Sequence, residues 1–265
     1  MIYNEIAKVV SNEMIAENIY EAVLFSPNIS NSSKPGQFIN ILPSDNWNKI
    51  MRRPMSIASQ KDGHISIIYK IFGEGTHLMS QWKSKDQVDI IGPLGNYWEN
   101  FSDKLPILIG GGVGIAPIIN LHNMLDDLKI KHMLIMGART KEEHFMNHDI
   151  DNHILLCTDK GGLGIKGNVL SPLREIIKSN KTDDIKIFAC GPSPMMKAVS
   201  KFSLDNNIEC NLALETIMAC GIGICQGCTI VKKSKCSDDS YRNKFVLACM
   251  DGPVFNLENL EYDYI

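Results

Sequence analysis

Three cysteines, Cys220, Cys225 and Cys228, stand in C-x4-C-x2-C spacing within the glycine-studded stretch Cys220-Gly221-Ile222-Gly223-Ile224-Cys225-Gln226-Gly227-Cys228. A fourth, Cys249, follows in Leu247-Ala248-Cys249-Met250-Asp251-Gly252. This is the plant-type spacing with which four thiolates hold a [2Fe-2S] cluster. Such a loop must curl around inorganic sulfides and turn its N–H groups toward them. Gly221, Gly223 and Gly227 are therefore expected to supply positive φ and the missing Cβ. Zinc sites more often pair their cysteines as two close C-x2-4-C units, and disulfides belong to oxidising compartments. The cluster is the preferred reading. Of the eight cysteines, Cys157, Cys190, Cys210 and Cys236 remain. Cys236 rivals Cys249 as fourth ligand, but it sits in the polar stretch from Lys232 to Asp239, read as a loop. Cys249 is preferred because Gly252-Pro253 marks a tight turn beside a strand-like apolar run.

Three further motifs suit nucleotide chemistry. In Arg53-Pro54-Met55-Ser56 a guanidinium, a fixed-φ proline and a hydroxyl could clamp a diphosphate and orient a planar ring, although an Arg-Pro turn entering a strand is often no more than a turn. Ile68-Tyr69-Lys70 runs through glycines to Gly75-Thr76 and a helix start, where free N–H groups attract phosphate. Tyr69 could stack on or edge an aromatic cofactor, and Lys70 adds charge. Together these two motifs point to a flavin. The third, Gly110-Gly111-Gly112-Val113-Gly114-Ile115, lies between an apolar strand and a helix. It departs from the G-x-G-x-x-G fingerprint because Ile115 takes the third glycine position, yet it still reads as a phosphate cradle. Cys190-Gly191-Pro192 closes a later strand and would let a nicotinamide ring approach. Arg139 could meet a 2′-phosphate or be a solvated arginine, so these residues leave NAD and NADP both open. His144, His148, Asp149, Asp151 and His153 invite a zinc reading, but they lack the glutamate of H-E-x-x-H and read as solvated surface.

These motifs need elements to position them. Residues 1–100 are β-rich, with strands expected at Ile19–Phe25, Gln37–Leu42, Met55–Ala58, His64–Ile71 and Gln87–Ile91. Turns at Asn31–Gly36, Pro43–Asn46 and Lys61–Gly63 separate them, and one helix is expected at Thr76–Lys83. That texture suggests a small β-barrel. From Leu105 strands and helices alternate: strands at Pro106–Ile109, His132–Met136, Ile154–Thr158, Ile185–Ala189 and Glu209–Ala213, and helices at Ile115–Leu128, from Lys141, at Leu170–Ser179 and at Ser193–Ser203. Alternation of this kind predicts an α/β doubly wound parallel sheet over 101–213. Residues 214–265 form a small cysteine-bearing segment. The net charge of −3 and the lack of a Lys/Arg run argue against nucleic acid or a membrane surface as partner. The most apolar window, Leu105–Ile119, is short for a bilayer and broken by glycines. Met1–Asn12 does not read as a signal peptide, so a cytoplasmic protein is expected.

The R-P-x-S motif, G-G-G-V-G-I-A-P, C-G-P-x-P-M and a cluster segment in this order resemble the ferredoxin–NADP reductase superfamily. More narrowly, Leu214–Gly223 together with Cys249–Phe255 is similar to the electron-transfer subunits of type B dihydroorotate dehydrogenases. The resemblance spans the whole chain. It implies a Greek-key barrel holding FAD through Arg53, Pro54, Met55, Ser56, Ile68, Tyr69, Lys70, Gly75 and Thr76. It also implies NAD on the sheet domain, and a [2Fe-2S] cluster on Cys220, Cys225, Cys228 and Cys249. Electrons from dihydroorotate, oxidised at FMN in a catalytic partner subunit, would cross the cluster and FAD to NAD+ in pyrimidine (UMP) biosynthesis, in a heterotetramer of two plus two. No orotate site with its own base is visible, so a partner is expected to dock on the cluster segment. The twenty residues between Cys228 and Cys249 exceed the family's expected spacing. A related flavin/iron–sulfur NAD(P)H reductase, serving ferredoxin or a sulfide-linked enzyme, and a non-enzymatic redox sensor are the alternatives.

Overall fold

A computed structural model describes residues 1–44, 51–101, 103–233 and 240–261. The turn expected at Pro43–Asn46 and the rival ligand Cys236 fall wholly or partly outside them. The first third is a closed antiparallel barrel built by alternation. In β1 (Tyr3–Ala16), Ala7 and Val9 are fully buried while Ile6 and Val10 face out. β2 (Ile19–Phe25), β3 (Phe38–Ile41), β4 (Arg53–Lys61), β5 (His64–Lys70) and β6 (Gln87–Leu94) complete it in the order β1-β2-β5-β4-β3-β6. This Greek-key order encloses Leu24, Ile39, Ile41, Ile57, Ile65 and Ile67, all fully buried. Side chains of this size contribute about 1.5–3 kcal/mol each on full burial, so the barrel needs no filling from a ligand. Two short helices flank it, α1 (Pro27–Ser32) and α2 (Glu74–Met79).

The second unit is a sheet of β7 (Leu105–Gly111), β8 (Met133–Ala138), β9 (Ile154–Thr158), β10 (Ile165–Lys166), β11 (Ile185–Cys190) and β12 (Glu209–Ala213), interleaved with α3 (Ile115–Asp127), α4 (Leu170–Ser179) and α5 (Ser193–Asp205). Every residue of β11 is buried, as expected for a parallel strand covered on both faces. Leu170, Leu173 and Ile176 of α4 form the i, i+3, i+6 stripe that packs on one face, whereas α3 covers the other through Ile118, Leu121 and Leu125.

The last section holds the hairpin of β13 (Thr229–Val231) and β14 (Phe245–Leu247), the one-turn α6 (Tyr241–Lys244), and β15 (Val254–Asn256). β15 pairs antiparallel with β12, so the sheet order is β10-β9-β8-β7-β11-β12-β15 and its edge is mixed rather than all parallel. Two other expectations are corrected. The polar helix expected from Lys141 is a single 3-10 turn, Lys141–Glu143, because this stretch has no apolar stripe to bury. Residues Tyr3–Ala16, not singled out from the sequence as a strand, form the longest strand of the barrel.

Barrel and sheet meet on α3. Ile19, Ala58 and Ile68 on the barrel's outside pack with Ala116, and buried Asn120 donates to the carbonyl of Ile57 (3.0 Å) and to Gln60 Oε1 (2.6 Å). Among the described residues no helix is long and apolar enough to cross a membrane.

Candidate functional site

The four expected ligands come together as two thiol pairs. Cys220 and Cys225 have Sγ atoms 3.4 Å apart, and Cys228 and Cys249 3.2 Å apart. Backbone N–H groups of Cys225 (3.4 Å) and Ile222 (3.5 Å) donate to Cys220 Sγ, and that of Cys249 (3.5 Å) to Cys228 Sγ. The first pair is open to solvent; the second is buried. Burial opposes ionisation of Cys220, but these N–H donors outweigh it and bring the thiol down to about 7. Burial, and then the neighbouring Cys228, push Cys249 up to about 12, against a bond from the N–H of Gly223. Sulfur pairs beyond disulfide length, ringed by N–H donors, fit an iron–sulfur group that takes four thiolates.

The loop's shape differs from expectation at one position. Gly221 (φ +72) and Gly223 (φ +80) take the left-handed conformation, but Gly227 does not; Gln226 (φ 56) does instead. A Cβ on Gly223 would meet Met250 Cγ at 2.7 Å, so the wrap is close as well as left-handed. Asn40 of β3 anchors the loop from the barrel, donating to the carbonyls of Ala219 and Cys220, both at 3.2 Å. Asn96 fixes the other arm through bonds to the carbonyls of Asp251 (2.9 Å) and Val254 (2.8 Å) and from the N–H of Val254 (2.9 Å). Neither asparagine stands out in the sequence, since each acts across more than 150 residues.

Pro54, Met55, Ser56, Ile68, Tyr69, Lys70 and Thr76 line one cleft of 260 Å³ beside the barrel, closed on its other side by Val113 and by Leu214, Glu215, Thr216 and Met218. The start of β4, the end of β5 and the start of α2 place them there. Arg53 is turned aside: Nη1 donates to the carbonyl of Met51 (2.7 Å). Its guanidinium covers Gly75, where a Cβ would meet Nε at 2.8 Å. Tyr69 lines this cleft while its ring is engaged elsewhere. Its ring points into the barrel with Ile65 and Ile67, stacks on Tyr20 at 5.7 Å, and its hydroxyl donates to Asn12 Oδ1 (2.8 Å). Period-two alternation leaves Ile68 and Lys70 facing out, and Lys70 Nζ pairs with Glu143 Oε1 at 2.7 Å. Thr76 Oγ1 caps its own turn, accepting from Phe72 N (2.9 Å) and Gly73 N (3.2 Å).

A larger cleft, 650 Å³, opens at the carboxyl ends of the sheet strands, lined by Gly111, Gly112, Gly114, Arg139, Pro192 and their neighbours. It lies where the strand order reverses about β7, the position at which open α/β sheets bind ligands. The loops after β7 and β11 touch: a Cβ on Gly114 would lie 2.6 Å from Gly191 N and Cα. Gly110 and Cys190 are paired across β7 and β11, below the cleft. The Cys190 thiol is buried with Phe188 and Ala213 rather than lining the wall, and burial, then Glu215, raises it well above the usual thiol range. His144, His148 and Asp149 bond instead to local groups: His144 Nε2 to the carbonyl of Cys157 and to Thr158 Oγ1 (both 3.1 Å), His148 Nδ1 accepting from Leu156 N (3.0 Å), and Asp149 Oδ1 accepting from Asn152 N (3.1 Å).

Leu214–Met218 joins the sites. Glu215 lines both clefts, and its segment runs directly into Cys220. Glu215 is reached by solvent yet recessed between walls of protein, and this desolvation raises its carboxyl above the ordinary value.

A family profile described as the iron–sulfur cluster binding domain of dihydroorotate dehydrogenase B matches residues 215–261, and one described as an oxidoreductase NAD-binding domain matches 108–201. The dihydroorotate dehydrogenase B (NAD(+)) electron transfer subunit of Fusobacterium nucleatum is 34% identical over 260 residues, 95% of this chain and 96% of that protein. The chain belongs to the dihydroorotate dehydrogenase B electron transfer subunit family. A second relative of that name, from Caldanaerobacter subterraneus, is 35% identical over 256 residues, covering 96% of this chain and 97% of its own length. Among solved structures, an NADH-dependent reduced ferredoxin-NADP oxidoreductase chain, described in the context of flavin-based electron bifurcation, superposes with a TM-score of 0.85 at 29% identity, over 98% of this chain and 91% of that one. A ferredoxin NADP+ reductase from Neisseria gonorrhoeae shares the fold at 15% identity, with a TM-score of 0.62 over 77% of this chain and 91% of its own.

Proposed function

We propose that this chain is the electron-transfer subunit of an NAD-linked dihydroorotate dehydrogenase, acting with an FMN-containing catalytic subunit in a heterotetramer of two plus two in the cytoplasm. The observation that carries the reading is the single segment Leu214–Met218, which walls the barrel cleft and reaches the nucleotide cleft through Glu215 before entering the cysteine loop. In this reading the chain divides into a barrel domain (1–100), a sheet domain (101–213) and a cluster segment (214–265). When bound, FAD would supply the step between a hydride carrier such as NAD and a one-electron [2Fe-2S] cluster, which is why all three belong in one chain. Arg53, Pro54, Met55, Ser56, Ile68, Tyr69, Lys70, Gly75 and Thr76 would hold FAD. Gly111, Gly112, Gly114, Gly191 and Pro192 would receive NAD, with Gly110 and Cys190 supporting them from below. Cys220, Cys225, Cys228 and Cys249 would hold the cluster. Ile217, Ile224 and Met250 are 89%, 77% and 53% exposed around the cysteine loop, and this apolar rim supports docking of the catalytic subunit there.

The test is anaerobic. The cofactor-loaded chain should show flavin bands and an iron–sulfur shoulder that both bleach with NADH. Dihydroorotate-dependent NAD+ reduction should appear only when the FMN subunit is added. Dihydroorotate oxidation by the chain alone would sink the proposal. The likeness to the ferredoxin-linked structure favours a second reading, a reductase serving ferredoxin. It predicts NADH-driven ferredoxin reduction without any response to the FMN subunit.

A further inference from the structure

A second donor cluster lies at the far end of α3 from the nucleotide cleft. His122 and Asp126 are one helical turn apart on α3, and His132 stands immediately before β8. His122 Nδ1 is 2.7 Å from His132 Nε2, His122 Nε2 is 3.4 Å from Asp126 Oδ2, and His132 Nε2 is 3.7 Å from Asp126 Oδ1. His132 Nδ1 lies 2.8 Å from the carbonyl of Ile130. A carbonyl only accepts, so Nδ1 carries the proton and Nε2 of the neutral ring presents its lone pair. Backbone carbonyls set the tautomer of metal-binding histidines in this same way.

Counting protons shows what the cluster lacks. Two neutral imidazoles carry two N–H groups, and the contacts to Ile130 and between the rings call for both, which leaves none for the Asp126 carboxylate 3.4 Å from His122 Nε2. With the His122 proton on Nδ1, the Nε2 lone pair faces a carboxylate. With it on Nε2, two lone pairs meet at 2.7 Å. One positive charge resolves both arrangements. A third proton would put an imidazolium on His122, where burial outweighs the pull of Asp126 and lowers the ring below its ordinary value. A metal ion bonds to the lone pairs directly, and Asp126, 61% exposed, leaves a side open for entry and for a water ligand.

We propose that His122, Asp126 and His132 form a binding site for a divalent transition-metal ion, zinc above all, that fastens the C-terminal end of α3 to the start of β8. Two imidazoles and a carboxylate are a donor set for zinc, and ligand atoms on a tetrahedral zinc stand roughly 3.3 Å apart. The carboxylate of Asp126 stands 3.4 Å from His122 Nε2 and 3.7 Å from His132 Nε2, already close to that, and one donor atom from each of the three residues lies within 4.8 Å of the others.

The test is anaerobic calorimetric titration of the cofactor-loaded protein with zinc chloride, with zinc-edge X-ray absorption of the product. The expected result is one zinc per chain in a shell of nitrogen and oxygen at about 2.0–2.2 Å, with no sulfur at about 2.3 Å. His122→Gln and Asp126→Asn should each weaken binding by about tenfold or more, since losing even a group that only supports a ligand costs that much. Asp126 is exposed, so its amide variant keeps the fold. Absence of binding, a sulfur shell, or unchanged affinity in either variant overturns the site and leaves the trio a hydrogen-bonded cluster.

Discussion

Lys70 of β5 and Glu143, in the turn after β8, meet with Nζ and Oε1 2.7 Å apart, an ion pair that ties the barrel to the sheet at the mouth of the nucleotide cleft. The pair spends on a protein carboxylate the charge that the sequence suggests for a phosphate. It also holds the two units in the relation that lets one segment serve both clefts.

The Glu143 carboxyl feels burial, which raises it, but the bonds from Lys70 and from the Arg139 N–H prevail and hold it below the ordinary value. A carboxyl depressed in the folded state contributes stability above its unfolded value, about 4.3, and loses it as pH falls through the folded value. Glu143→Gln should therefore lower stability at neutral pH by about 1 kcal/mol, the upper end for a partly exposed pair. The deficit should shrink as pH drops below about 4.3. Urea unfolding at several pH values measures it, and a pH-independent deficit would assign the loss to packing instead.

Gly114 and Gly112 separate two reasons for glycine. At Gly114 an added Cβ meets the backbone of Gly191 at 2.6 Å, so the loops after β7 and β11 must part. At Gly112 nothing lies within 4 Å, and only φ +54 opposes a side chain. Gly112→Ala should cost about 1–2 kcal/mol from backbone strain. Gly114→Ala should cost a similar 1–3 kcal/mol from overpacking. Both line the cleft, so each variant should weaken NADH binding, but Gly114→Ala should weaken it more, because only there must the two loops part. Equal losses of NADH affinity in both variants would contradict this division.

Tyr69→Phe should leave flavin content unchanged and lower stability by about 1–2 kcal/mol, because the hydroxyl's bond is to Asn12 within the barrel. Flavin content per chain and urea unfolding are the two readouts. Loss of flavin from this variant would mean that the ring acts in the cleft after all.

The same residue shows what a sequence can and cannot reveal. Ile68-Tyr69-Lys70 is legible as a strand end beside a cleft, because composition and the following glycines are local signals. Which alternate residue faces inward depends on the register with β2, where Tyr20 sits opposite Tyr69. The strands Ile19–Phe25 and Ile154–Thr158, the helix Leu170–Ser179 and the cysteine spacing are legible for the same local reason. β1 is less legible because its outward face carries Ile6, Val10 and Met14, which blur the alternation. Asn40, Asn96 and Glu215 are single polar residues whose roles arise only when distant segments meet. His122 and His132 escape notice beside the denser histidine cluster at 144–153, which the fold uses for local hydrogen bonds.

Asn40 should control how firmly the cysteine loop is held. Its amide donates to two carbonyls of the loop, and a Cβ on Gly221 would sit 2.9 Å from that same nitrogen, so loop and anchor are closely packed. Asn40→Leu should destabilise the protein by about 1–3 kcal/mol through partly buried carbonyls left without a donor. Cluster absorbance should also decay faster in the presence of an iron chelator. Unchanged decay would make the anchor irrelevant to cluster retention.

The fourth ligand gives the sharpest contrast. Cys249 is 2% exposed, its Sγ lies 3.2 Å from that of Cys228, and the N–H of Gly223 reaches its sulfur. Cys236 lies outside the described residues. Cys249→Ser should therefore bring iron from about two per chain to a small fraction of that, since a [2Fe-2S] cluster needs four ligands and a hard hydroxyl replaces a soft thiolate. Cys236→Ser should retain iron, acid-labile sulfide and the NADH-bleachable spectrum. Should the two variants behave the other way round, the fourth ligand would be Cys236, and the long connection after Cys228 would have to fold back over the buried thiol pair to deliver it.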